Sequence, residues 1–163
     1  MKLLSLLLIA VLAVGCTSFA ATTIASAAEH PEARLFDETR DASADVDAAL
    51  AQGIDESKIT LVVMGANWCH DSRALAGWFT QDEDIMGLLD RNFVVTYVDV
   101  GQKNRNIDIA QRFGIEKIVG TPTMIMVDYD GTVLNKVTAV DWRNSASRSK
   151  DDIILELETV ALF

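Results

Sequence analysis

Apolar residues along this chain follow two patterns, which predict buried strands and amphipathic helices. Continuous runs rich in β-branched residues predict strands over residues 59–64, 92–100 and 123–127. Apolar residues at helical spacing predict helices over residues 43–53, 70–79, 84–89, 107–113 and 151–162. Asp130-Gly131 indicates a tight turn into a fourth strand, residues 132–140. Strand–helix alternation followed by a hairpin predicts an α/β domain with a mixed sheet, parallel then antiparallel, covered on both faces.

The N-terminal residues have the pattern of a secretory signal peptide. Lys2 precedes an apolar run over residues 3–14, shorter than the about 20 residues that span a bilayer. Residues 12–16 resemble a bacterial lipobox, which would end the signal at residue 15 and make Cys16 the lipidation candidate. Cleavage after Ala27 is the alternative. We therefore expect an exported protein of the bacterial periplasm, either free or tethered to a membrane through lipidated Cys16.

Residues 28–42 are polar and acidic and indicate a linker before a domain over residues 43–163, with His30 as an inert residue of that linker. The formal net charge of −10 argues against nucleic acid and anionic membrane surfaces as partners. The chain has two cysteines, Cys16 and Cys69. Because Cys16 is expected to be removed or acylated, Cys69 is expected to be the lone free thiol of the mature chain.

Two motifs lie at the ends of predicted strands. Gly-Ala-Asn-Trp-Cys-His-Asp-Ser-Arg, residues 65–73, follows the first strand, and Gly-Thr-Pro-Thr, residues 120–123, precedes the third. With this order of elements, residues 43–163 resemble the thioredoxin superfamily, which implies a three-layer α/β/α sandwich. The resemblance also implies that Cys69 is the attacking thiol and that Thr121 and Pro122 form a cis-proline loop. The main chain of that loop would pair with a bound peptide, and Trp68 would either cap the substrate or serve packing.

The chain departs from the family pattern at two positions. Ser72 occupies the place of the second cysteine, which makes a monothiol C-x-x-S site, and Val63 occupies the place of a buried acid in the first strand. In the family both groups serve the internal resolution of a mixed disulfide. The residues therefore indicate a site that attacks or holds a partner but does not resolve the bond by itself.

The neighbours of Cys69 determine how much thiolate it carries. A helix N-terminus favours the anion, Arg73 is a cation one turn along, and Ser72 has a hydroxyl that can donate to the sulfur. His70 adds positive charge only when protonated, and Asp71 opposes ionisation of the thiol. We treat Arg73, His70 and Asp71 as the thiolate-tuning residues, and solvated surface charge is the alternative for Arg73 and Asp71.

The expected function is that of a thiol–disulfide oxidoreductase or isomerase acting through a Cys69 mixed disulfide that an external thiol resolves. The partners would be protein or small-molecule thiols and disulfides, with glutathione as a candidate external thiol and no other cofactor. The alternatives are a non-catalytic protein that binds or retains clients and an inert scaffold. No metal is expected, because the adjacent residues Cys69 and His70 rarely chelate one ion and no second cysteine–histidine cluster accompanies them.

Overall fold

A computed structural model describes residues 30–162. Its strands are β1 (Ile59–Gly65), β2 (Phe93–Asp99) and β3 (Thr123–Val127). Its α-helices are α1 (Ala42–Glu56), α2 (His70–Gln81), α3 (Glu83–Asn92), α4 (Ile107–Arg112) and α5 (Lys150–Ala161). A 3₁₀ segment, Ala139–Ser147, precedes α5. The three predicted buried strands and the five predicted helices are therefore confirmed, with shifts of a few residues at their ends.

The described sheet has the strand order β2-β1-β3 and is mixed, as the sequence predicted. Strand β1 pairs in parallel with β2, with Ile59 opposite Phe93, and antiparallel with β3, with Leu61 opposite Met126. Every residue of β1 is buried, because helices cover both faces of the central strand. This double burial explains why β1 reads as an unbroken apolar run.

Alternate residues of β1 point into two separate cores. Leu61 and Val63 pack with side chains of α2, α3 and α5, whereas Val62 and Met64 pack with side chains of α1 and α4. The domain is thus a three-layer α/β/α sandwich of the thioredoxin-like kind. A short turn, residues 66–69, connects the carboxyl end of β1 to α2, and this junction holds the sequence motif around Cys69.

The prediction of a fourth strand over residues 132–140 is wrong. Val133 makes only an isolated bridge to Val127, and the chain then turns away into the 3₁₀ segment. The side chain of Asn135 takes the place of a strand: Oδ1 accepts from the Met126 N–H at 2.8 Å, and Nδ2 donates to the Met124 carbonyl at 2.7 Å. One side-chain amide therefore satisfies main-chain groups that a fourth strand would have paired.

Helix α1 differs from its predicted bounds at both ends. Its N-cap is Asp41, whose side chain accepts from the Ala44 N–H at 3.1 Å, and not Ser43. The helix continues past Gly53 to Glu56, and Ser57 caps it with a φ of 54°. Gly53 lies inside the helix, and a side chain is excluded there because a Cβ would lie 2.4 Å from Thr60 Oγ1. This glycine serves close packing against β1 and does not end the helix.

The predicted linker is packed onto the domain. The N-terminal segment, residues 30–41, forms neither helix nor strand, but Phe36 is only 2% exposed and belongs to the core shared with α2. The Ala33 N–H donates to the Arg73 carbonyl at 3.0 Å, and the Asn67 side chain is bonded to the main chain of Phe36 in both directions. The part of the predicted linker that the structure describes is therefore packed on the domain, because the buried ring of Phe36 holds it in place.

Candidate active site

Cys69 occupies the junction between β1 and α2. It is the N-cap of α2, with extended φ and ψ of −81° and 123°, and its N–H donates to the Ala66 carbonyl at 3.0 Å. Gly65 permits the tight turn, because a Cβ there would lie 2.6 Å from the Phe36 ring and 2.7 Å from Ser72 Oγ. The sulfur therefore sits where the unpaired N–H groups of the first helical turn favour an anion.

The cis-proline loop supplies the other side of the sulfur. The Cys69 thiol lies 3.2 Å from the Thr121 carbonyl and donates to it. The Thr121–Pro122 peptide bond is cis, and both residues are buried. The structure thus brings together two motifs that are far apart in the sequence. The Cys69 residue is 9% exposed, so only a small part of its surface is open to a substrate disulfide.

Ser72 lies beneath the turn. Its side chain is fully buried, and Oγ accepts a long hydrogen bond of 3.4 Å from the Ala66 N–H. No hydrogen bond joins Ser72 to Cys69 in the described part of the chain, so the expected donation from hydroxyl to sulfur is not present in this arrangement. Val63, at the place of the family's buried acid, is fully buried in the apolar core.

Arg73 binds the turn and the N-terminal segment at once. Its Nη1 donates to the carbonyls of Asn67 and Trp68 at 3.2 and 3.1 Å, and its Nε donates to Glu32 Oε2 at 2.9 Å. The hydrogen bond to Glu32 raises the pKa of Arg73, and the nearby Cys69 sulfur adds a smaller contribution in the same direction. Glu32 therefore competes with the thiolate for the positive charge of Arg73.

Glu32 also contacts His70, at 3.3 Å between Oε1 and Nε2. The hydrogen bond from Arg73 is the main cause that lowers the pKa of Glu32. Sequence reasoning missed Glu32 and treated His30 as inert, yet the His30 and His70 rings lie in contact, tilted by 45° with centroids 4.6 Å apart. No local pattern signals these contacts, since they form only when the N-terminal segment packs on α2.

Asp71 is engaged away from the thiol. Its carboxylate accepts from the Ala146 N–H at 3.0 Å, which ties the first turn of α2 to the 3₁₀ segment. This hydrogen bond gives the Asp71 side chain a role in positioning α2. The effect of Asp71 on the ionisation of Cys69 stays a prediction.

Trp68 directly precedes Cys69 in the turn, and half of its surface is exposed. Its Nε1 donates to the Gly101 carbonyl at 2.8 Å, which fixes the indole while about half of the residue stays exposed. This ring borders a cleft of about 940 Å³ that Arg34, Asn67 and Arg105 also line. Both predicted roles of Trp68, capping a substrate and packing, are compatible with this arrangement, because the ring is held by a hydrogen bond and is still accessible.

This fold, with a cysteine at the start of α2 and a proline loop against it, defines a thioredoxin-like protein. A family model described as Thioredoxin-like matches residues 41–128, and the chain belongs to that family. The N-terminal segment that carries Glu32 and Phe36 lies before the matched residues.

Two solved structures show the same likeness. A crystal structure described as a disulphide isomerase from Xylella fastidiosa Temecula1 shares 32% identity over 78% of this chain and 97% of its own, with a TM-score of 0.73. A thioredoxin from Thermus thermophilus, at 24% identity, covers 70% of this chain and 82% of its own with a TM-score of 0.52, which supports the fold alone. No curated protein matched the sequence. The family match and the likeness to the disulphide isomerase support a role of the thiol–disulfide oxidoreductase kind in general terms.

The helices within residues 30–162 are all too short or too polar to cross a bilayer. The predicted signal peptide and Cys16 lie outside the described residues, so lipidation and export stay predictions.

Proposed function

We propose that this protein is an exported monothiol thiol–disulfide oxidoreductase or isomerase in which Cys69 forms a mixed disulfide with its substrate. The observation that carries the proposal is the position of the Cys69 sulfur, at the N-terminus of α2 and 3.2 Å from the Thr121 carbonyl of the proline loop. A related chain of known structure is described as a disulphide isomerase, which agrees in chemical class with this proposal.

The first step is attack by the Cys69 thiolate on one sulfur of a substrate disulfide. A bond forms between Cys69 Sγ and that sulfur, the substrate S–S bond breaks, and the other substrate sulfur leaves as a thiolate that takes a proton from water. The helix N-terminus and Arg73 stabilise the attacking anion. The main chain at Thr121 would pair with the substrate peptide, and Trp68 and Pro122 would border it.

The second step needs a thiol from outside the site, because Ser72 has no sulfur to attack the mixed disulfide. An external thiol of the glutathione class attacks the substrate sulfur, forms a new disulfide with it and releases Cys69 as the thiolate. If a second cysteine of the substrate attacks instead, a new substrate disulfide forms with no net oxidation or reduction. When the sulfur bound to Cys69 is that of glutathione, the first route yields oxidised glutathione and is deglutathionylation. When that sulfur belongs to a protein, the first route leaves a protein–glutathione mixed disulfide, and a second glutathione completes the reduction. The route through a second substrate cysteine is isomerisation.

A turnover assay with a glutathionylated peptide tests the proposal. Glutathione and glutathione reductase recycle the product, and NADPH consumption reports the rate. We expect turnover by the wild type, none by Cys69→Ser, and a wild-type mixed disulfide visible by intact mass when glutathione is withheld. A mixed disulfide that forms once and persists with glutathione present would instead identify a protein that retains its client. Equal behaviour of the wild type and Cys69→Ser would identify an inert scaffold.

Membrane tethering is a separate part of the proposal and rests on the sequence around Cys16 alone. Mass spectrometry of the N-terminus of the protein from its native membrane fraction tests it directly. A diacylated Cys16 supports the tether, whereas a mature chain that starts at Ala28 refutes it.

A further inference from the structure

The two histidines of the chain meet on one surface beside the active-site helix. The sequence contains only two, His30 and His70, and folding brings their rings to a centroid separation of 4.6 Å with a tilt of 45°. Glu32 lies with them, and one potential ligand atom from each of the three residues lies within 4.8 Å of the others. The N-terminal segment supplies His30 and Glu32, and the first turn of α2 supplies His70.

We propose that His30, Glu32 and His70 form a binding site for one divalent cation of the zinc class. Two imidazole nitrogens and one carboxylate oxygen are a ligand set that zinc accepts, with water completing a tetrahedral shell. This proposal departs from the sequence-based expectation of no metal, which considered only the adjacent pair Cys69 and His70. The ligand set does not include the sulfur, and the proposal therefore stands independently of the proposed function.

The geometry is close to what such an ion requires. His70 Nε2 and Glu32 Oε1 are 3.3 Å apart, and two ligands on a tetrahedral zinc ion with bonds of about 2.0–2.2 Å lie about 3.3–3.5 Å apart. Two of the three ligands are therefore already at a suitable separation. The His30 ligand atom has to close by at most about 1.5 Å to reach the same spacing, which rotation of its partly buried side chain can supply.

The two oxygens of Glu32 divide between two partners. Oε1 faces His70, whereas Oε2 accepts from Arg73 Nε at 2.9 Å. A hydrogen-bonded outer partner of this kind commonly orients a ligating carboxylate. Arg73 Nη2 also lies 3.4 Å from Oε1, and an ion on Oε1 would replace that longer contact. The positive charge of Arg73 opposes a dication, so the site should bind zinc more weakly than a buried structural site does.

Calorimetric titration of the untagged chain with zinc chloride tests the site. We expect one zinc ion per chain, bound equally by the wild type and by Cys69→Ser. His30→Ala, His70→Ala and Glu32→Gln should each weaken binding at least about tenfold, since losing even an outer partner of a zinc ligand costs about 10–100-fold. Glu38→Gln is the matched control, because Glu38 is an exposed carboxylate of the same segment, and it should bind as the wild type does.

Three results would overturn the proposal: no heat of binding by the wild type at millimolar zinc, unchanged binding by His30→Ala, or loss of binding in Cys69→Ser. Cobalt substitution adds an independent readout. Cobalt in this site should absorb in the visible without a thiolate charge-transfer band, and such a band would assign the ion to Cys69 instead. Circular dichroism verifies that each variant is folded. The exposed side chain of His70 and the position of His30 outside every helix and strand make these substitutions mild.

Discussion

Gly77 should be required for the N-terminal segment to lie against α2. A Cβ at Gly77 would lie 2.2 Å from the Pro31 carbonyl oxygen, 2.3 Å from its carbon and 2.6 Å from the Glu32 nitrogen. All three are main-chain atoms, so no side-chain rotation can relieve the overlap. In Gly77→Ala the segment must move by more than about 1 Å before carbon atoms reach their ordinary contact of about 3.5 Å.

The expected cost follows from the contacts that this movement breaks. The segment is held near Gly77 by the hydrogen bond from Ala33 N–H to the Arg73 carbonyl and by the one from Gln81 Nε2 to the Glu32 carbonyl. The segment can move and lose both hydrogen bonds, or keep them and retain the overlap with the new Cβ. Either outcome lowers the free energy of unfolding by about 2–4 kcal/mol. Alanine is better than glycine inside a helix by about 1 kcal/mol. We therefore expect Gly77→Ala to lower the free energy of unfolding by about 1–3 kcal/mol.

Gly87→Ala is the matched control, because Gly87 lies inside α3 and a Cβ there would meet only the mobile tip of Arg91, at 3.3 Å. It should raise the free energy of unfolding by up to about 1 kcal/mol. Urea denaturation measures both variants, and limited trypsin digestion reports cleavage after Arg34, which should be faster in Gly77→Ala. If Gly77→Ala were as stable as Gly87→Ala and equally resistant to trypsin, the packing of the segment on α2 would be refuted.

Four further outcomes are expected. Arg73→Ala should slow alkylation of Cys69 at neutral pH by about two- to fivefold, because a partly exposed charge contact contributes up to about 1 kcal/mol, whereas Ser72→Ala should change it little. Ser72→Cys should form a disulfide with Cys69 under mild oxidation, seen by mass as the loss of two hydrogens, and gain dithiol reductase activity. Asn135→Ala should lower the free energy of unfolding by about 2–4 kcal/mol in urea, because two main-chain groups of β3 lose their partner. Since Arg73 lowers the pKa of Glu32, the stability that Glu32 adds over Glu32→Gln should be present above pH 4.5 and lost as the pH falls through the lowered pKa, measured by thermal unfolding across pH.

Each of these outcomes has a clear opposite. Slower alkylation in Ser72→Ala than in Arg73→Ala would mean that the hydroxyl, and not the guanidinium, stabilises the thiolate. Failure of Ser72→Cys to form the disulfide would contradict the placement of Cys69 at the start of α2. A neutral Asn135→Ala would mean that water replaces the amide at no cost. A difference between wild type and Glu32→Gln that grows at low pH would reverse the assigned effect of Arg73 on Glu32.

The strands could be predicted because burial on both faces of a sheet gives each strand a nearly continuous run of apolar residues. β1 lies between β2 and β3 under two helical layers, and every one of its positions must be apolar or small. The fourth strand could not be excluded in the same way, because residues 132–140 carry β-branched residues after a good turn. What ended the sheet was one side chain, Asn135, whose amide imitates a neighbouring main chain.

The candidate site was predicted where its residues are adjacent in sequence and missed where they are not. Cys69 and Ser72 share one motif, and Pro122 was identified by the resemblance of its own motif, before a strand, to the family's cis-proline loop. Glu32 lies in a polar stretch with no periodicity, and its contacts with Arg73 and His70 depend on the burial of a single ring, that of Phe36. Such tertiary contacts leave no local pattern.

The side-chain amide of Asn135 also blocks the β3 edge of the sheet against pairing with another chain. An edge strand with free main-chain groups is a template for pairing with a second copy or with an unfolded chain. Here the Met124 carbonyl and both main-chain groups of Met126 are already bonded to Asn135 and Leu134. The Asn135 side chain thus prevents a further strand from pairing with β3 at these residues. It confines any added strand to the stretch before β3, where the substrate of the proposed reaction would bind, and removes this edge as a route to aggregation.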